Sequence, residues 1–86
     1  MKKLKNFTAY GTPFGTDKNI KLDEISLLAD PETIKNLGLF LINASYEMEI
    51  NELEHIHLQD VLGNFSHKKH VDLIAINQNI VKPLKK

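Results

Sequence analysis

The chain has 86 residues, 42% of them hydrophobic and 26% charged, which places it among globular sequences with room for one domain and one core. Eleven basic and eleven acidic residues cancel and there is no cysteine. That excludes disulfides and thiolate chemistry, and it argues against a strongly salt-dependent nucleic-acid binder. A chain this short buries only about 60–65% of the surface its unfolded form exposes, so the fold must hold by packing on a narrow margin. Lys2, Lys3 and Lys5 at one end and Lys82, Lys85 and Lys86 at the other read as solvated ends rather than a nucleic-acid arm. No apolar stretch follows the first lysines as a secretory leader would need. The longest uncharged apolar run, residues 37–42, is too short to span a bilayer. A cytoplasmic protein is expected, with no membrane partner.

Residues 6–19 hold Gly11, Thr12, Pro13, Phe14, Gly15, Thr16 and Asp17, a dense run of turn formers, with Phe7, Ala9 and Tyr10 suited to a short edge strand before it. Residues 21–29 alternate, Ile25, Leu27 and Ala29 on one face and Glu24 and Ser26 on the other, which predicts the first secure strand. Asp30-Pro31-Glu32-Thr33 signals a helix start: Asp30 can accept from a free first-turn N–H, Pro31 has no N–H to leave unpaired, and Glu32 complements the helix dipole. The helix is expected over 31–48. At 100° per residue Ile34, Leu37, Leu41, Ala44 and Met48 form its core stripe, with Gly38 and Ser45 beside it. A mid-helix glycine costs about 1 kcal/mol relative to alanine. Close approach of helix to sheet is the expected reason for Gly38. Leu39, Ile42 and Tyr46 fall well off the stripe, either as scattered exposed residues or as a second apolar surface for a partner.

Residues 49–52 read as a polar link and 54–60 as a second strand, with Ile56 and Leu58 inward and His55, His57 and Gln59 outward. Gly63, Asn64 and Ser66 mark a loop over 61–69 that closes a hairpin. Residues 71–76 form the third strand, with Val71, Leu73 and Ala75 on one face and Asp72, Ile74 and Ile76 on the other. Pro83 keeps the tail out of a central strand. The class is α+β: a small β-(β)-α-β-β arrangement, one amphipathic helix packed on one face of a three- to four-stranded, mainly antiparallel sheet. Residues 1–19 are a turn-rich extension, 20–77 the α+β domain and 78–86 a tail. One helix covers one face, so the other is expected to display His55, His57, Gln59, Ile74 and Ile76.

His55 and His57 are the sharpest chemical feature. Residues two apart on a strand share a face, and Asp60, His67 or His70 would complete a site for Zn²⁺, Cu²⁺ or Ni²⁺. The plainer reading is a pair of surface imidazoles, and no cofactor is expected. Ser26, Ser45 and Ser66 lack a nucleophile-elbow context. Glu52, Glu54 and Asp60 lie near the histidines, but the chain has little bulk for a water-excluding pocket around an acid–base pair. The Gly11–Gly15 stretch lacks the lysine ending of a phosphate loop. Phe7, Tyr10 and Phe14 near the first lysines are a faint stacking arrangement. An RNA-binding sheet would carry its aromatics on the open face, where this chain has His and Ile. The pattern points away from an enzyme and from a nucleic-acid binder.

Taken together, Glu24-Ile25-Ser26-Leu27, the Ala29-Asp30-Pro31-Glu32-Thr33-Ile34 helix opening with Leu37, Leu41 and Ile42, the segment Glu54-His55-Ile56-His57-Leu58-Gln59-Asp60 and the final Val71-Asp72-Leu73-Ile74 resemble the family of bacterial immunity proteins numbered thirty-two in polymorphic toxin systems. The resemblance spans residues 21–76, and His55, His57 and Asp60 match its H-x-H-L-x-D-like strand. It implies a cytoplasmic antidote that binds and neutralises a cognate toxin, with no catalytic residues. The expected partner surface is His55, His57, Gln59, Asp60 and Ile74, extended by Leu39, Ile42 and Tyr46. A small metal-binding domain built on His55 and His57, or a homodimer covering its own open face, are the alternatives.

Overall fold

The structure is a computed structural model and describes residues 3–81. Lys2, Pro83 and the basic residues Lys82, Lys85 and Lys86 lie outside the described residues, as does most of the tail expected over 78–86. The turn-rich N-terminal segment forms a hairpin, so the edge strand anticipated near Ala9 is present. β1 (Ala9–Gly11) and β2 (Ile20–Leu22) run antiparallel, pairing Ala9 with Leu22, Tyr10 with Lys21 and Gly11 with Ile20. Gly11 has no side chain because Leu22 occupies the space: a Cβ there would stand 3.0 Å from a Leu22 methyl. Between the strands Gly15 takes φ +76, and the backbone N–H and hydroxyl of Thr16 both donate to the Pro13 carbonyl at 3.2 and 3.0 Å. That is the turn chemistry glycine permits.

The strand expected over 21–29 stops at Leu22, which is a correction. The ladder ends at the Ala9–Leu22 pair, and the described chain before Ala9 does not continue it as a strand, so the backbone beyond Leu22 stays unpaired. Among the described residues, 24–29 take no part in regular structure or in backbone hydrogen bonding, and Ile25, Leu27 and Leu28 stand exposed. Period-2 alternation marks a segment able to be a strand. It does not supply the neighbour.

α1 (Pro31–Asn51) begins where the capping signal lies. Asp30 is extended (φ −77, ψ 167), its Oδ1 accepts from the Thr33 N–H at 2.9 Å, and its carbonyl accepts the first helical bond from Ile34 at 3.0 Å. The helix runs past the expected end at Met48 to Asn51, where the Asn51 side-chain amide donates to Glu47 Oε1 at 2.6 Å, one turn back. Glu52 then stops it in the left-handed region, φ 54 and ψ 41. The buried residues of α1 are Phe40 (8% exposed) and Ala44 (3%), with Leu37 and Met48 half-buried. The inward arc is therefore rotated from the expected stripe toward Phe40, leaving Ile34 and Leu41 exposed. Gly38 is corrected too: nothing lies within 4 Å of where its Cβ would be, so it does not admit a sheet.

β3 (His55–His57) pairs antiparallel with β4 (Ile74–Ile76), the hairpin expected, in the register His55 to Ile76, Ile56 to Ala75 and His57 to Ile74. The strand expected over 54–60 turns at Leu58 into a single helical turn, α2 (Leu58–Val61), closed by the Leu62 N–H donating to the Leu58 carbonyl at 3.0 Å. Leu58, 7% exposed, is the third buried residue. The strand expected over 71–76 is likewise confined to 74–76, with Val71 exposed.

The fold is α+β, but its strands form two separate two-stranded sheets rather than one sheet of three or four. Among the described residues no continuous sheet is present for α1 to cover. Consequently the surface is large: 8115 Å², where the mass scaling of folded monomers gives about 5,200 Å² for a chain of this size. Among the described residues no helix is long and apolar enough to cross a membrane.

Candidate partner-binding face

Directly opposed residues of an antiparallel pair lie on the same face of the sheet. The β3–β4 register therefore puts His55, His57, Ile74 and Ile76 on one face, and the half-buried pair Ile56 and Ala75 on the other. The alternation expected along both strands holds in phase. Ile74 and Ile76 are exposed, and the His55 and His57 rings meet edge to face, centroids 5.2 Å apart.

What fixes this face is Asp72. Its Oδ2 lies 2.7 Å from His57 Nδ1 and its Oδ1 accepts from the Gln59 backbone N–H at 3.0 Å. A carboxylate only accepts, so the imidazole proton sits on Nδ1 and donates, leaving Nε2 as the ring's open position. The second bond caps the first turn of α2 from across the hairpin, which explains why the chain leaves the ladder at Leu58. The Leu58 N–H still donates to the Leu73 carbonyl at 2.8 Å, and at the other end of the pair the Asn77 N–H donates to the Glu54 carbonyl at 2.8 Å.

Of the residues expected to form the partner surface, His55, His57 and Ile74 are brought together. Gln59 and Asp60 are not on the strand: they sit on α2, exposed, and Gln59 joins the site only through its backbone N–H to Asp72. Leu39, Ile42 and Tyr46 lie on α1, on the side turned away from Phe40 and Ala44, and all three are exposed. Ile76, expected on the open face, and Asp72, which alternation puts on the same side of the third strand, complete the face, though neither is among the residues expected to contact a partner. Asp72 reads as one more polar residue on a strand, and the signal for it is a carboxylate beyond the hairpin loop from H-x-H.

The loop before β4 carries the other two histidines. Phe65 meets the His67 ring edge to face at 4.9 Å, and the Ser66 N–H donates to His70 Nδ1 at 3.0 Å, which places the neutral ring's proton on Nε2. His67 and His70 line a groove of about 430 Å³ with Thr12, Pro13, Phe14, Val71 and Asp72. Phe14 and Val71 are themselves exposed, so the groove does not exclude water. Among the described residues no three His, Cys, Asp or Glu side chains are grouped to hold a metal ion, so His67, His70 and Asp60 do not join His55 and His57. The arrangement sets the His57 ring, held by Asp72, and the His55 ring against it beside two exposed isoleucines. No family model, curated protein or solved structure matches the chain.

Proposed function

We propose that the protein is a binding module that neutralises a cognate bacterial toxin in the cytoplasm, with the outer face of β3–β4 as its contact surface. The observation that carries this reading is the exposed Ile74 and Ile76 on one face with His57 and His55, the His57 ring being held by Asp72. An apolar patch beside an imidazole already held in place gives up less freedom on binding than one flanked by free polar side chains. The resemblance to immunity proteins, carried over residues 21–76, suggests a toxin as the partner, and its H-x-H-L-x-D-like segment, His55 to Asp60, builds β3 and opens α2.

Co-expression with the toxin domain encoded beside the gene tests this. The wild-type chain is expected to restore growth and to co-purify with the toxin. Ile74→Glu, exposed in the free protein, is expected to abolish both while the chain stays folded. Failure of the wild-type chain to bind any neighbouring gene product defeats the proposal.

A further inference from the structure

One histidine of the chain has its tautomer set as a metal ligand needs. His57 donates its Nδ1 proton to Asp72 Oδ2 at 2.7 Å, so Nε2 carries the ring's lone pair. Histidines that hold a metal are arranged in this way: the far nitrogen donates to a carboxylate, which fixes the ring and raises the basicity of the nitrogen facing the ion. Both side chains are partly withdrawn from water, 29% exposed for His57 and 19% for Asp72. His70 is set in the opposite sense, with Nδ1 accepting from the Ser66 N–H and the proton on Nε2. A second ligand stands two residues from His57 on the same face of β3. His55 is exposed, so its ring can turn either nitrogen toward Nε2 of His57.

Spacing selects the ion. The His55 and His57 ring centroids are 5.2 Å apart, with the ring planes at 70° to each other. With metal–nitrogen bonds of about 2.05 Å and about 1.15 Å from nitrogen to ring centre, two imidazoles on a tetrahedral ion hold their centroids about 5.2 Å apart, and on a square-planar ion about 4.5 Å. Imidazole suits several divalent ions, of which Zn²⁺ takes the tetrahedral arrangement and Cu²⁺ and Ni²⁺ the planar one. We propose that His55 and His57 bind one Zn²⁺ on the outer face of β3–β4, with Asp72 positioning the His57 ring and water filling the two remaining positions. Among the described residues no group of three His, Cys, Asp or Glu side chains is placed to hold a metal. The ion is therefore held by two protein ligands and stays open to exchange, unlike a structural zinc closed by four. Ile76 and Ile74, paired across the ladder with His55 and His57, flank it with apolar side chains. The inference concerns the free chain and does not rest on the toxin reading.

Equilibrium dialysis of the full, untagged chain against Zn²⁺ tests the site, with Co²⁺ as a spectroscopic stand-in. Saturation at one Zn²⁺ per chain is expected. Co²⁺ should give the intense visible absorption of a tetrahedral site, with no thiolate charge-transfer band because the chain has no cysteine. His55→Ala, at an exposed position, should keep the fold by circular dichroism and weaken binding by about tenfold or more. Asp72→Asn keeps both ligands and should weaken it by about tenfold, the loss typical of an outer partner. A chain carrying His67→Ala and His70→Ala should bind as the wild type does. In nitrogen NMR, Zn²⁺ should move the His57 Nε2 resonance while Nδ1 stays protonated. An absence of saturable binding, an affinity unchanged in His55→Ala or in Asp72→Asn, or the faint absorption of octahedral Co²⁺ overturns the proposal. Because only the chain and the metal are present, such a failure leaves the partner reading of this face standing.

Discussion

Asp72 serves two donors with one side chain, and both of its bonds lie at the point where β3 becomes α2. Replacing it with alanine leaves the half-buried His57 Nδ1–H without a protein partner, while the exposed Gln59 N–H turns to water. The expected cost is about 1–3 kcal/mol, read as a lower denaturation midpoint. Asp72→Asn should cost less, since an amide oxygen still serves one donor; equal stability of Asp72→Ala and wild type would show that the carboxylate holds nothing. Asp30 makes a prediction of a different kind. The Thr33 side chain, and after it the Thr33 backbone N–H, hold its carboxyl below the ordinary value of 3.8. A carboxyl lowered in the folded state contributes stability that is present above its unfolded value and lost as pH falls through the lower folded one. The helix should therefore weaken on acidification below about pH 4, and Asp30→Asn, which keeps an acceptor at the cap, should flatten that part of the pH profile. An unchanged acid limb in Asp30→Asn would assign the acid sensitivity to other groups.

At the scale of elements, α1 ends on a residue poorly suited to its conformation. Glu52 occupies the left-handed region that glycine takes without penalty, and it sets a negative charge against the carbonyl end of the helix dipole. Glu52→Gly should stabilise the fold by roughly 1 kcal/mol, a rise in unfolding temperature that calorimetry would register; a fall would mean that the Glu52 side chain makes a contact worth more than the strain. The two ends of this helix differ in how far the sequence reveals them. Asp30-Pro31 fixes the start because capping is a local event among neighbours in the chain. The polar Glu49, Asn51 and Glu52 suggest an end at Met48, yet polarity on a solvent-facing helix is no stop signal. The rotation of α1 is hidden for a further reason. Apolar residues occur on nearly every side of it, so periodicity alone leaves the inward arc open, and contact with the rest of the fold selects Phe40. The H-x-H face is legible because strand alternation is local. Its completion by Asp72 is not, since that depends on which residues a hairpin register sets opposite each other.

Across the whole molecule, three residues carry the buried core among the described residues, Phe40, Ala44 and Leu58. Truncating Phe40 to alanine should cost about 3–5 kcal/mol, a large part of the stability of a domain this small, whereas Leu41→Ala, at a half-exposed position, should cost well under half as much. Chemical denaturation of the two variants decides which arc of α1 faces in, and the reverse order would return the core to Leu41. Several segments with strand-like alternation suggest a single sheet of three or four strands. Segments do not add up to a sheet unless each finds a neighbour, and pairing is the long-range contribution that alternation cannot encode. The stretch over 24–29 is left in that position. Backbone with open N–H and C=O groups among the described residues and the side chains of Ile25, Leu27 and Leu28 in water offers another chain a place to pair. Acidic Asp23 and Glu24 stand at its start, and Asp30-Pro31 closes it behind. Charge repulsion on one side and a residue without an N–H on the other restrict such pairing to a few residues, the role of gatekeepers flanking an aggregation-prone segment. Neutralising Asp23 and Glu24 would remove that guard from a chain whose folded state leaves the segment open.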